Sequence, residues 1–349
     1  MATRSSVADD GVGTPGRRAQ VMFQILVLVL LVVLLVNYKG AAGLSKIQHA
    51  RATGSLHLAS FRVGTELAGV SSFSNTITYL KIVWPALVFG ILISAAVRTS
   101  LSRTPLHRIF GGSAVRDQAA AVLAGAPLML CSCCVAPIFP AVYQRTRRVA
   151  PALGMTLASP SLNPVALTLS FVLFPVRISA ARLAMALILV LVASVLVARI
   201  IRPSILAAPL TAELAEFTWV GLLTSYAKSL AYVSLRTVPL ILAGIWASMW
   251  IMSRLPLTSA AAGGRVVSIV IIALFAVLLT LPSLFEIPLA LSVLAAGGPA
   301  GAAAALLFAG PAINLPSLIV IGRYSSWKVA ATLALLVWAI AAVGGVLLG

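Results

Sequence analysis

The heptapeptide Ala158-Ser159-Pro160-Ser161-Leu162-Asn163-Pro164 lies inside a long apolar run, and a similar string, Ala309-Gly310-Pro311-Ala312-Ile313-Asn314-Leu315-Pro316, lies inside another. Aligning Asn314 with Asn163 sets a shift of 314 − 163 = 151 residues, which also places Pro311 on Pro160 and Pro288 on Pro137. Pro239 meets Pro85 after a small further slip. A proline inside a helix removes one N–H and clashes with the preceding turn, so each string marks a helix break. Backbone groups freed at membrane depth persist only beside protein or a watery cavity. Paired, proline-interrupted segments in two halves are the mark of a secondary transporter and point to its binding site.

Composition agrees with a membrane location. Of the 349 residues 61% are hydrophobic and 9% charged, too little charge for an ordinary soluble domain. The formal charge of +18 could signal nucleic-acid binding. The basic residues, however, sit between apolar runs, where cytoplasmic loops carry them. The expected partners are therefore a lipid bilayer and a small-molecule solute, with no nucleic acid. The expected location is the inner (plasma) membrane, crossed many times.

The expected fold class is an all-α polytopic membrane protein: two related helical halves after one leading transmembrane helix. Residues 1–20 are expected to form a disordered cytoplasmic tail, 21–38 the leading helix, and 39–77 a polar connector. The first membrane repeat spans 78–202, a linker or interfacial helix 203–228, and the second repeat 229–349. Arg17 and Arg18 precede the first apolar run, whose length favours a retained anchor over a cleaved signal. The broken stretches 119–143 and 266–296 are expected to be re-entrant, the alternative being full spans with four crossings per half and parallel repeats. With re-entrant stretches each half has three crossings, and an odd number inverts the second half. With the N-terminus inside, the dense basic clusters at 98–116 and 145–148 are both cytoplasmic.

Three groups of residues could carry chemistry. The first is Pro127-Leu128-Met129-Leu130-Cys131-Ser132-Cys133-Cys134-Val135-Ala136-Pro137. Its thiols are expected to line a pocket and to favour soft partners such as trivalent arsenic, copper(I) or zinc. Cys131 and Cys133 are the candidate sulfur ligands. A closed zinc site is not expected, because no histidine or carboxylate lies nearby in sequence to complete it. The second group is Asn163 with Pro164 and Asn314 with Pro316, whose amides coordinate a solute, hydrogen-bond the exposed carbonyls around a kink, or join helices. Ser159, Pro160 and Pro311 flank them. The third is the pair of intramembrane charges Arg236 and Glu286. Glu286 is read as a proton-coupling carboxylate, a partner for Arg236, or an interfacial group. No Ser-His-Asp set, phosphate loop or zinc-protease helix occurs, which points away from an enzyme, and no cofactor is expected.

The motifs Cys131-Ser132-Cys133, Ser159-Pro160-Ser161-Leu162-Asn163-Pro164 and Gly310-Pro311-Ala312-Ile313-Asn314 resemble those of the predicted permease family that includes ArsP-type organoarsenical efflux permeases. The resemblance covers about 78–348 in arrangement. Cys134 departs from the glycine common after the second cysteine, and Gln144-Arg145-Thr146-Arg147-Arg148 replaces a glycine-containing turn. What the resemblance implies is a permease, and further the efflux of trivalent, thiol-reactive organoarsenicals with the cysteines as ligands. The alternatives are a permease for another metal or metabolite, or a membrane assembly partner or sensor that moves nothing.

Overall fold

A computed structural model describes residues 15–54, 72–100, 113–146, 148–200, 219–252, 264–295 and 297–349. Among these residues there are helices and no strands. The chain begins with α1 (Pro15–Thr53) and α2 (Ser72–Ser100). A broken stretch follows: α3 (Ala114–Gly125), a 3-10 turn at Ala126–Leu128, then α4 (Ser132–Val135) and α5 (Ile138–Thr146). Next come α6 (Val149–Ser161), α7 (Pro164–Leu173) and α8 (Val176–Ile188). A π-helical turn at Leu189–Ala193 joins α8 to α9 (Ser194–Ile200). The second half holds α10 (Trp219–Met252), α11 (Arg265–Leu278), α12 (Glu286–Ala295), α13 (Ala300–Ala312), α14 (Leu315–Tyr324) and α15 (Trp327–Leu348).

Among the described residues six helical segments are long and apolar enough to cross a membrane, and counting the pair α13–α14, bent by 45°, as one broken span would make seven. The protein is therefore a multi-pass membrane protein with a leading helix and two related halves. The relation between the halves is visible in their boundaries. α6 and α13 start 300 − 149 = 151 residues apart, α7 and α14 315 − 164 = 151, and α8 and α15 327 − 176 = 151. Local chemistry sets these boundaries. Asn163 caps α7, accepting from the N–H groups of Val165 and Ala166, and Pro164 occupies the first turn, where its missing N–H costs nothing. Asn314 caps α14 through a reciprocal box with Ser317.

Each broken stretch folds back on itself. Asp117, in the first turn of α3, is ion-paired with Arg148, the residue before α6. At the other end the Leu130 N–H donates to Ser159 Oγ at 3.1 Å, near the end of α6. So α3 runs alongside α6 in the same direction, and α5, which ends where α6 begins, runs back. The second half repeats this. Gly301 of α13 lies against Ile269 of α11, while Gly310 lies against Leu281 and Glu286. Both hairpin tips thus reach the level of the breaks in the neighbouring spans, and the core sits around them.

Several boundaries differ from expectation. α1 does not stop at 38 but runs to Thr53, so 39–53 of the expected connector is helical. At 1.5 Å per residue it is about 58 Å long, more than a hydrocarbon core requires. Its continuation is possible because Lys39 and Lys46 share one face with the buried Leu35, Gly43 and Ala50, and that face meets the protein. Exposed Leu26, Val29, Leu30, Val33 and Leu34 make the lipid side. Pro15–Gln20 of the expected tail are also helical, as are Ser72–Ile77 and Trp219–Lys228. The remainder of the tail (1–14), of the connector (55–71) and of the linker (203–218) lies outside the described residues.

Candidate functional site

The three thiols come together because the first hairpin tip cannot be helical. Pro127 interrupts the ladder, Met129 adopts a left-handed φ of 51°, and Cys131 is extended before the single turn of α4 begins. This swings Cys131 back over the turn that carries Cys133 and Cys134. The Sγ atoms lie 3.2 Å (Cys131–Cys133), 2.7 Å (Cys131–Cys134) and 3.7 Å (Cys133–Cys134) apart. All three side chains are buried. Among the described residues they are the one group of three or more His, Cys, Asp or Glu side chains whose ligand atoms all lie within 4.8 Å. The cluster therefore offers three sulfur atoms, with no fourth His, Cys, Asp or Glu ligand atom grouped with them among the described residues.

The freed backbone around the tips is satisfied by side chains from neighbouring spans. Ser159 Oγ accepts from the Leu130 N–H and donates to the Leu130 carbonyl at 3.4 Å. In the second half Ser248 of α10 does the same for its own hairpin, accepting from the Thr280 N–H at 2.8 Å and donating to the Leu278 carbonyl at 3.0 Å. Ser94 donates to the Pro137 carbonyl at 2.7 Å. Tyr79 of α2, fully buried, lies with its hydroxyl 3.1 Å from Cys133 Sγ and donates to the Leu281 carbonyl at 3.4 Å. One phenol therefore ties the thiol-bearing tip to the opposing tip.

Two cavities meet at the tips. The larger, about 180 Å³, lies between α1, α2, α7 and both tips, and is lined among others by Lys39, Lys46, Met129, Cys131 and Asn163. The smaller, about 10 Å³, has room for roughly one water and is lined by Cys131, Ser132, Pro160, Asn163, Glu286 and Pro311, with Leu281–Leu284 of the second tip. Cys131, Asn163, Ser283 and Leu284 border both cavities. The oxygen of Asn163 is committed to capping α7.

Not every expected residue joins this site. Asn314 is fully buried and Pro316 packs against Gly244 of α10; neither lines either cavity. Pro164 is exposed at the head of α7, and Pro137 is buried behind the tip. Arg236 is not the partner of Glu286. It lies on the exposed face of α10, donates to the Tyr232 hydroxyl at 3.2 Å, and shares the Tyr232 ring with Arg98. The reason is helical phase: Val233, Thr237, Ile241 and Ile245 form the buried stripe, and Arg236 falls beside it. Glu286 is instead paired with Arg182 of α8, Nη2 to Oε1 at 3.2 Å, and both are buried. Arg182 also donates to the Ala166 carbonyl at 3.3 Å and to Ser170 Oγ.

Sequence reasoning missed Tyr79, Arg182, Ser248 and the second tip. Arg182 shares the buried face of α8 with Ser179, Met185 and Ala186. For the second tip the signal was available. The same shift of 281 − 130 = 151 aligns Leu130-Cys131-Ser132-Cys133 with Leu281-Pro282-Ser283-Leu284. The thiols therefore belong to one half only.

Comparison with known proteins bears on the family. The chain matches a family described as predicted permeases over residues 67–349. It is 27% identical over 276 residues to the UPF0718 protein YraQ of Escherichia coli (strain K12), covering 78% of each chain. It is 32% identical over 100 residues to the UPF0718 protein MJ0584 of Methanocaldococcus jannaschii, covering 28% of this chain and 27% of that one. No solved structure matches it. With two hairpin-bearing halves around a buried thiol site and a match across most of its length, the chain belongs to the predicted-permease family of the ArsP type.

Proposed function

We propose that this permease is a secondary transporter of the inner membrane that exports a small thiophilic solute, with trivalent organoarsenicals as the leading class. The observation that carries the reading is the convergence of Cys131, Cys133 and Cys134 at a broken tip, with Cys131 bordering both cavities. A trivalent arsenical R–As(OH)2 would form one As–S bond per thiol. Each thiol gives up its proton and each arsenic hydroxyl leaves with it as water, so two thiols release two waters and no oxidant is needed. Asn163, Ser132 and Pro160 would shape the neighbouring wall.

Alternating access needs two halves that can rock about the site. α15 packs along α8, the π turn and α9, with Gly344 near its C-terminus against Met185 in the middle of α8. It therefore runs antiparallel to its counterpart in the first half, which supports an inverted relation between the repeats. The Arg182–Glu286 pair crosses from one half to the other beside the small cavity. In this reading Glu286 is the coupling carboxylate, protonated when the halves part and ionised when Arg182 is in reach. Cells expressing the protein are expected to accumulate less trivalent methyl- or aryl-arsenical than control cells. Equal accumulation would remove the arsenical from this reading.

A further inference from the structure

The family match begins at residue 67, so α1 lies outside it, yet α1 supplies one wall of the larger cavity. The helix is held there closely. A Cβ on Gly43 would come within 2.4 Å of Val165 of α7, and Leu35 and Ala50 on the same face are buried. Lys39 and Lys46, two turns apart on that face, both line the cavity with Cys131 and Asn163. No Asp or Glu is among the lining residues. The ion pairs among the described residues are Arg148–Asp117 and Arg182–Glu286, so among those residues neither lysine has a carboxylate partner. An ammonium drawn partly out of water is costly without an anion beside it. Lysines serving only to anchor a helix at the interface would face outward to headgroups, not inward over a thiol.

We propose that the larger cavity is an anion site: Lys39 and Lys46 hold a carboxylate-class group of the solute while Cys131 engages its soft centre, so that α1 gives this permease a preference for negatively charged thiophilic solutes. The proposal rests on the thiophilic reading above for the second contact only. A cavity of about 180 Å³ suits an anion the size of a substituted benzene ring with its acid group.

The test uses the full chain in phosphatidylcholine nanodiscs and two probes, phenylarsonous acid and its 4-carboxyphenyl analogue. The wild type is expected to bind the carboxylated probe about tenfold tighter, equivalent to ~1.4 kcal/mol. In the Lys39→Gln/Lys46→Gln variant the ratio should fall to near one, and in Lys39→Arg/Lys46→Arg it should be kept. Equal binding of the two probes by the wild type overturns the anion site and leaves the thiol reading standing. If neither arsenical binds but benzoate binds the wild type and not the Gln variant, the anion site stands and the thiol reading falls. A preference abolished by adding phosphatidylglycerol assigns the lysines to a lipid headgroup and overturns the solute assignment.

Discussion

Arg182 and Glu286 stand 104 positions apart in the chain and in different halves, yet their side chains meet at 3.2 Å, both almost wholly buried. The guanidinium is further anchored to the Ala166 carbonyl and Ser170 Oγ of α7, and Ser179 Oγ donates to the Ser170 carbonyl at 2.8 Å. One arginine therefore connects α7, α8 and the second hairpin tip.

Breaking this pair from one side should be worse than removing it. Arg182→Met leaves a buried carboxylate without its cation and should cost about 3–5 kcal/mol. The double variant Arg182→Met/Glu286→Leu should recover most of that loss. Thermal unfolding of the purified protein in detergent checks both, and a double variant as unstable as the single one would show that the charges do not act as a pair. Glu286→Gln keeps the shape of the side chain. If the carboxylate couples transport, efflux by this variant should lose its response to an imposed pH gradient.

The thiols should not be equivalent. Cys131 borders both cavities, Cys133 lies against Tyr79, and Cys134 is fully buried, with its Sγ 3.9 Å from the Val83 carbonyl. Cys131→Ser is expected to weaken binding of a trivalent aryl-arsenical by about tenfold or more, with Cys133→Ser close behind. Cys134→Ser should have the smallest effect on binding. Direct titration of the purified variants ranks them, and an unchanged affinity in Cys131→Ser would exclude sulfur coordination at the tip.

Close backbone approach makes Gly90 a sensitive position. A Cβ there would sit 2.1 Å from the Cys134 carbonyl oxygen, a backbone atom that cannot move aside cheaply. Gly90→Ala should push α2 away from the thiol-bearing tip and destabilise the protein by about 1–3 kcal/mol. Gly40→Ala, where a Cβ meets nothing within 4 Å, is the matched control and should be neutral or slightly stabilising. The comparison is read from midpoints of thermal unfolding.

Ser159 and Ser248 make corresponding repairs in the two hairpins, each taking one N–H and one carbonyl of a break. Replacing either by alanine strands buried backbone groups and should cost about 1–3 kcal/mol. Amide hydrogen exchange should rise locally at Leu130 in Ser159→Ala and at Thr280 in Ser248→Ala. A uniform rise along the whole chain would instead indicate global destabilisation.

The breaks and the duplication were legible from residue order alone, and the capping that the structure assigns to the two asparagines follows from equally local chemistry. Proline ends a ladder wherever it falls, an asparagine oxygen caps the N–H groups just after it, and an apolar run of sufficient length crosses a bilayer. Hence α6 and α13, α7 and α14, and α8 and α15 start at the same offset. The partner of Glu286, the phenol of Tyr79 over Cys133, and the inward turn of Lys39 and Lys46 could not be read this way. Each depends on which face of one helix meets which face of another, and on what is taken out of water when they meet. Residue order offered Arg236 as a possible partner for Glu286; packing instead buried Arg182 beside that carboxylate and left Arg236 on an exposed face, because burying a charge is least costly where the fold supplies its counter-charge.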